Sequence, residues 1–160
     1  MNYADLRKDQ AVARERGIYR GIGLATFIEM TNPGPASYGV GGAPISAQDG
    51  ATVKLDANGY ATVAIGVTEQ GQGSETIVAQ CVASVLGITM DRVKVITSDT
   101  DVMPYGGGTW GSRGAGIAGE AAVQAGKALR ENILEVAGIM LQADPASLDI
   151  RDNQIVDNAD

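Results

Sequence analysis

Histidine is absent from the 160 residues of the chain. Its absence excludes Ser-His and Cys-His nucleophile pairs, histidine general bases and the commonest zinc ligand sets. The single cysteine, Cys81, cannot form a disulfide within the chain, and one thiol cannot hold an iron-sulfur cluster. Any chemistry here therefore depends on carboxylates or on a bound cofactor, and a reducing, cytoplasmic compartment is expected.

Long apolar runs and concentrated positive charge are also missing. No apolar run reaches the length of a membrane span, and no apolar core follows the charged N-terminal residues, so neither a span nor an export signal is predicted. The net charge is −7 and the Lys and Arg residues are scattered, which argues against nucleic acid as a partner. The length favours one domain with its own core.

The first residues are charged and contain several alanines. Residues 3–16 predict a short exposed helix. We expect this helix to be a lead-in, residues 1–16, and the domain itself to occupy residues 17–160.

A predicted strand and a long loop follow. Residues Tyr19–Met30 are mostly apolar, and Gly21 and Gly23 would let another backbone pass close by, so this stretch predicts a buried strand. Residues 31–50 are rich in proline, glycine and serine and predict an irregular loop.

A hairpin is the clearest local prediction. Val53 and Leu55 alternate with polar neighbours, Asn58 and Gly59 suit a tight turn, and residues 60–67 alternate again. The second strand leads directly into a polar turn with regularly spaced glycines.

That first glycine-rich turn consists of Gln70, Gly71, Gln72 and Gly73. Glycines let backbone N–H groups approach a ligand, and glutamine amides both donate and accept hydrogen bonds. Apolar residues at helical spacing follow and end at Gly87, and the N-terminus of such a helix favours anionic groups such as phosphate. The turn therefore predicts a cofactor cradle.

The second half of the chain predicts a strand at residues 93–97, a loop at residues 99–105, a long helix from about Gly116 to about Gln142, and a final hairpin at residues 148–156. Small residues on the early face of the long helix imply close approach by another element.

A second glycine-rich turn precedes this helix, and it contains Gly111, Ser112, Arg113 and Gly114. Two such turns, each with polar side chains just before a helix, leave two interpretations open. Either both bind one anionic or pterin-like ligand, or their glycines only serve packing.

The predicted fold class is α+β, with a mixed sheet that includes hairpins and two helices packed on one face. The Asn58-Gly59 and Asp152-Asn153 turns favour antiparallel neighbours. A nicotinamide dehydrogenase would need a parallel βαβ unit, so this pattern argues against one.

Other candidate sites have more ordinary explanations. Gly106, Gly108 and Gly111 match G-x-G-x-x-G, but they lie several residues beyond the preceding strand, and a lone match is weak. Asp99 and Asp101 are expected to cap a turn rather than to bind magnesium.

Three further reactive side chains are not expected to form a site. Glu120 and Glu131 are predicted to be exposed on the long helix. Cys81 lies among apolar residues and is predicted to be a buried, inert thiol.

Three motifs in order resemble the molybdopterin-binding large subunit of the xanthine oxidase family, particularly its aerobic carbon monoxide dehydrogenase branch. They are GIGLATFIE from Gly21, the QGQG turn from Gln70, and TDVMPYGGGTWGSR over residues 100–113. The resemblance covers nearly the whole chain.

The resemblance implies that both turns contact molybdopterin, often in its cytosine dinucleotide form. The implied contacts are Gln70, Gly71, Gln72, Gly73, Gly111, Ser112, Arg113 and Gly114. Molybdenum would be held by sulfurs of the cofactor, with no metal ligand and no catalytic residue in this chain. The intact enzyme would oxidise or hydroxylate a small substrate such as carbon monoxide, an aldehyde or an N-heterocycle, and would pass electrons to iron-sulfur and flavin subunits.

The chain also departs from the family pattern. Ser74 stands where many relatives carry histidine, and the family's catalytic glutamate lies outside the matched region. The chain therefore looks like a fragment, a partial molybdenum cofactor-binding domain that would need the remaining domains of the large subunit and is not expected to turn over substrate alone. The alternative is a stand-alone, non-catalytic carrier of a nucleotide or pterin.

Overall fold

A mixed sheet of three strands and two long helices forms the centre of the fold. The computed structural model describes residues 2–39, 42–45 and 47–158. The elements are α1 (Tyr3–Glu15), β1 (Ala51–Leu55), β2 (Ala61–Ile65), α2 (Ser74–Leu86), β3 (Val93–Ile96), α3 (Gly119–Leu141), β4 (Leu148–Arg151) and β5 (Gln154–Asp157). A π-helical turn, Gly114–Ala118, runs directly into α3.

The first hairpin is confirmed. β1 pairs antiparallel with β2, and Leu55 lies opposite Ala61. The Asp56 carboxylate accepts hydrogen bonds from the N–H groups of Asn58 and Tyr60. Gly59 has a φ of +80°, which explains why the tight turn needs a glycine at this position.

The expectation that neighbouring strands are antiparallel is wrong for β2 and β3. These strands are parallel, and α2 connects them as a βαβ unit. Turn residues such as Asn58-Gly59 determine only the pair of strands that they join directly, whereas a helical crossover returns the chain to the same end of the sheet. Because a parallel βαβ unit is present, strand direction no longer argues against a nicotinamide dehydrogenase.

Both long helices pack on one face of the sheet, as predicted. Alternate β2 residues face them, and Val63, Ile65 and Val67 are completely buried. The helices add further side chains to this core: Val78, Val82 and Leu86 from α2, and Ala122 from α3. The burial of this apolar surface supplies the main stabilising free energy of the fold.

Small residues bring α3 close to α2, as expected. A β-carbon at Gly126 would lie 3.2 Å from Cγ1 of Val85, and one at Gly119 would lie 3.7 Å from Sγ of Cys81. The Cys81 side chain packs against the core but is half-buried, whereas the prediction was a buried thiol; its inertness stays a prediction.

The predicted buried strand at Tyr19–Met30 is wrong. This segment has no regular secondary structure, and Leu24, Phe27 and Ile28 are 90%, 81% and 102% exposed. A strand requires a hydrogen-bonded neighbour, and no described part of the chain pairs with this segment. The apolar residues of this segment favour burial, but no described part of the chain covers Leu24, Phe27 or Ile28.

The chain ends agree with the remaining predictions. α1 covers the predicted N-terminal helix, and the amide of its residue Gln10 donates to the carbonyl of Arg20. β4 and β5 form the final hairpin, with positive φ values at Asp152 and Asn153.

The predicted loop at residues 31–50 is irregular where described, apart from a short 3₁₀ turn at Pro35–Ser37. Residues 40, 41 and 46 of that loop lie outside the described residues. No helix among the described residues is long and apolar enough to cross a membrane.

We expect Gly87→Ala to destabilise the chain more than Gly59→Ala. Both glycines have positive φ, so each added side chain strains the backbone by about 1–2 kcal/mol. A β-carbon at Gly87 would also overlap the Ile150 carbonyl, whereas at Gly59 it would meet only the end of the Arg92 side chain. Urea unfolding should show an additional loss of about 1–3 kcal/mol for Gly87→Ala. Equal losses would show that β4 can retreat from α2 without cost.

Candidate functional site

The two glycine-rich turns meet at one surface cavity of about 340 Å³. Its wall is formed by residues of the first turn, of the helix that follows it and of the second turn: Gln70, Gln72, Ser74, Ile77, Thr109, Trp110, Ser112, Arg113, Gly114 and Ala115. Gly71, Gly73 and Gly111 do not line the wall, but their positive φ values shape the turns. The structure therefore brings together two segments that are about forty residues apart in sequence.

A pair of threonines holds the two turns together. The Thr109 hydroxyl donates to the Thr68 carbonyl at 2.8 Å and accepts from the Thr68 N–H at 2.7 Å. This bridge joins the end of the β2 segment to the segment before α3. Sequence reasoning missed it, because nothing in the pattern around either threonine indicates a partner 41 positions away.

The two glutamines of the first turn have different surroundings. Oε1 of Gln72 accepts from the Gln70 N–H at 2.6 Å, and its Nε2 donates to the Thr68 carbonyl and to Oγ of Ser74. The amide of Gln72 is thus occupied in holding the turn. The exposed side-chain amide of Gln70 makes no hydrogen bond with any residue that the structure describes, so it is available to a ligand.

Glu69, which the sequence analysis did not select, binds the backbone of the first turn through its carboxylate. Its carboxylate accepts from the N–H groups of Gly71 at 2.8 Å, Gly73 at 3.0 Å and Glu75 at 3.1 Å. These bonds, led by those from Glu75 and Gly73, lower the pKa of the Glu69 carboxyl. The anion expected at the N-terminus of α2 is therefore present already, as a side chain of this protein.

Arg113 lies completely buried beneath the second turn. Its Nη2 donates at 3.2 Å both to the Gln48 carbonyl and to Oδ2 of Asp49. The guanidinium carbon lies 5.6 Å from the ring centre of Tyr38 and 5.7 Å from that of Trp110. Arg113 thus anchors the turn to the preceding loop through the ion pair with Asp49 and the cation–π contact with Tyr38, and it makes a second cation–π contact with Trp110 of its own segment.

The ion pair is incompletely satisfied among the described residues. Nε and Nη1 of Arg113 and Oδ1 of Asp49 are buried without a hydrogen-bond partner there. Loss of solvent around Asp49 raises the pKa of its carboxyl, and the charge of Arg113 and the N–H of Gly107 oppose this rise. Removing either partner of such a buried ion pair strongly destabilises the protein, because the remaining charge has no counter-charge.

The G-x-G-x-x-G match includes glycines that serve this packing. A β-carbon at Gly106 would overlap the Asp49 carboxylate, and one at Gly107 would overlap Nη1 of Arg113. Gly106 also forms an isolated bridge with Asp49. The position of these glycines, beyond the end of β3, agrees with the expectation that they are not a dinucleotide fingerprint.

The second turn also contacts the N-terminal part of the chain. Ser112, with a φ of +51°, donates its hydroxyl hydrogen bond to Glu29 at 2.6 Å. The side chain of Arg113, at the cap position, does not bond the first N–H groups of the π-helical turn that follows. The second helix terminus thus differs from that of α2, where the Glu69 carboxylate accepts from the N–H groups of Gly73 and Glu75.

The alternative sites behave as expected. The carboxylate of Asp99 accepts from the N–H of Asp101 and caps a turn. Glu120 and Glu131 are exposed. Within the described residues, no three His, Cys, Asp or Glu side chains form a group that could hold a metal ion.

Comparison with known sequences gives one family. The chain matches, over residues 1–160, the family described as "Molybdopterin cofactor-binding domain". It is 35% identical over 152 residues to the nicotine 6-hydroxylase large subunit of Paenarthrobacter nicotinovorans, covering 95% of this chain and 19% of that protein. It is 33% identical over 156 residues to the carbon monoxide dehydrogenase large chain of Hydrogenophaga pseudoflava, covering 93% and 19%.

Solved structures agree. Quinoline 2-oxidoreductase from Pseudomonas putida 86 superposes with a TM-score of 0.72 at 35% identity, over 97% of this chain and 20% of that one. The Cu,Mo carbon monoxide dehydrogenase gives a TM-score of 0.67 at 33% identity, over 92% and 19%. The chain therefore spans about a fifth of the length of these relatives.

We expect Asp49→Ala to destabilise the chain strongly, because it leaves the buried guanidinium of Arg113 without its counter-charge. The expected loss is about 3–5 kcal/mol of unfolding free energy in urea. The control is Asp149→Ala, which removes the partner of Arg130 at a site where both side chains are partly exposed, and a smaller loss is expected there. Similar small losses in both variants would show that Arg113 does not depend on Asp49.

Proposed function

Because the chain belongs to the family of molybdopterin cofactor-binding domains, we propose that the cavity between its two glycine-rich turns binds molybdopterin. The observation that carries this proposal is the convergence of Gln70 and Gln72 with Ser112, Arg113 and Gly114 on one cavity wall. The competing explanation, that the glycines serve only packing, accounts for Gly106 and Gly107 but leaves the free amide of Gln70 without a role.

The residues present fit such a ligand. A pterin ring carries donors and acceptors that match a side-chain amide, and Gln70 has one with no partner among the described residues. We assign the first turn to the pterin and the oxo groups near it, with Gln70 as the free donor and acceptor, and with Gly71, Gln72 and Gly73 holding the turn in shape. The phosphate side is assigned to Gly111, Ser112, Arg113 and Gly114, beside an uncapped helix terminus.

Arg113 acts mainly by holding the second turn. Its side chain is buried and its Nη2 is shared between Asp49 and Gln48, so it keeps Ser112 and Gly114 in place at the wall. The cytosine dinucleotide form of the cofactor is part of the proposal, because a dinucleotide carries the pyrophosphate that this side would bind.

The whole protein is proposed to be a large subunit of a molybdenum hydroxylase. When bound, the cofactor supplies the redox chemistry, and the residues of this chain supply binding and orientation. The relatives are named for nicotine, carbon monoxide and quinoline, which supports oxidation of a small molecule without selecting one. Iron-sulfur and flavin subunits, the remaining domains of the large subunit and a cytoplasmic location complete the proposal.

A stand-alone carrier is the second candidate. The self-contained core of α2, α3 and the three-stranded sheet favours it, because this part of the chain buries its own apolar face. The coverage of about a fifth of each relative favours the large subunit. The coding DNA on both sides of the segment distinguishes the two, since a large subunit requires a reading frame that continues for several hundred codons.

We expect Gln70→Ala in the complete enzyme to weaken cofactor retention without loss of stability. Removal of a free amide should cost about tenfold in cofactor affinity and leave unfolding within about 0.5 kcal/mol of the parent. Gln72→Ala is the matched control, and it should lower both quantities because its amide holds the turn. Molybdenum loss during dialysis and urea unfolding measure the two effects. Unchanged retention in Gln70→Ala would remove that residue from the site.

We also expect Arg113→Ala to lower the molybdenum content per mole of folded enzyme, because the second turn loses its anchor. Arg130→Ala is the control, since it also breaks an ion pair with an aspartate, but between α3 and β4 and away from the cavity. Metal analysis after purification gives the comparison. An unchanged molybdenum content in Arg113→Ala would exclude its role in cofactor binding.

A further inference from the structure

We propose that Glu69 is a positioning residue that fills the anion site at the N-terminus of α2 and so reserves the first turn for the uncharged part of the ligand. The identity of that ligand rests on the proposed function. The occupation of the helix terminus by Glu69 does not, because it follows from contacts within the chain.

The geometry is that of an anion site with its anion in place. The N–H groups of Gly71, Gly73 and Glu75 converge on the two carboxylate oxygens of Glu69 at 2.8–3.1 Å. Gly71 and Gly73 both have positive φ, and a β-carbon at either would contact nothing, so glycine is needed for the backbone direction and not for space. Successive N–H groups in such a turn form a concave site for an oxyanion.

The charge of Glu69 then acts against a second anion. The three hydrogen bonds lower the pKa of its carboxyl, so the group is ionised at neutral pH. A phosphate brought to this helix terminus would have to displace the carboxylate or lie beside it. The carboxylate of Glu75, in the first turn of α2, adds further negative charge.

The second helix terminus at the same cavity offers the contrast. Ser112, Arg113 and Gly114 lie at the start of a five-residue π-helical turn that continues into the 23 residues of α3. The first N–H groups of this long helix have no acceptor within the helix, and the side chain of Arg113, at the cap position, does not bond them. The nearby Glu29 carboxylate accepts from the Ser112 hydroxyl. The two termini therefore differ in whether a carboxylate is bound by the backbone N–H groups, and this difference favours the second terminus for the phosphate of a ligand that has a neutral ring and a phosphate.

The test uses inorganic phosphate and the 160-residue chain. Glu69→Ala should empty the site, and phosphate should then shift the amide NMR resonances of Gly71, Gly73 and Glu75, with at least about tenfold tighter binding there than in the parent chain. Glu75→Ala is the matched control, because it removes one negative charge from the same helix terminus without emptying the site. Equal gains in both variants, or phosphate binding at these amides in the parent, would overturn the proposal.

A second variant covers the case in which Glu69→Ala does not fold. Glu69→Gln keeps the length and one acceptor oxygen but removes the charge, so the three amide resonances should move in the absence of phosphate, while Glu75→Gln leaves them in place. Unmoved resonances in Glu69→Gln would overturn the proposal. Neither experiment contains molybdopterin, so its failure would leave the assignment of Gln70 standing, and failure of the Gln70 experiment would leave the role of Glu69 standing.

Discussion

A completely buried guanidinium is the constraint on which this site depends. Burying the charge of Arg113 is costly, and although its Nε and Nη1 have no partner among the described residues, Asp49 supplies a counter-charge, Gln48 an acceptor and two aromatic rings cation–π contacts. Each of these groups comes from a segment distant in sequence from Arg113, apart from the nearby Trp110. The contacts that bury Arg113 thus hold the loop before β1 against the second turn, which forms part of the cavity wall.

The first N–H groups of the two helix termini at the cavity have different surroundings. Both begin with N–H groups that lack acceptors within the helix, and both face one cavity. At α2 the preceding Glu69 accepts from these groups, whereas at the terminus before α3 the Glu29 carboxylate accepts from the Ser112 hydroxyl, and the side chain of Arg113 does not bond the first N–H groups. The two turns therefore differ in whether a carboxylate is bound by the backbone or by a side chain. The Thr68–Thr109 bridge keeps the two at a constant separation.

Local signals predicted the elements that local physics controls. Asn58-Gly59 indicated a hairpin because the tight turn needs positive φ, and Gly87 ended α2 for the same reason. The parallel pairing of β2 with β3 was missed, because a crossover is governed by helix packing and leaves no turn signature. The pattern of residues Tyr19–Met30 predicts a buried strand, and the exposure of Leu24, Phe27 and Ile28 shows that apolar residues favour burial without providing the partner that would bury them.

The sequence by itself determined the family, the order of the three helices and of β1 to β5, and the two glycine-rich turns that precede α2 and α3. Only the tertiary structure decided the role of each side chain: Gln72 and Arg113 hold the turns, Gln70 is free, and Glu69 fills a helix terminus. The physical reason is that spacing along a chain fixes which backbone conformations are accessible. The partner of a polar group, by contrast, depends on distances between segments that are up to 83 positions apart.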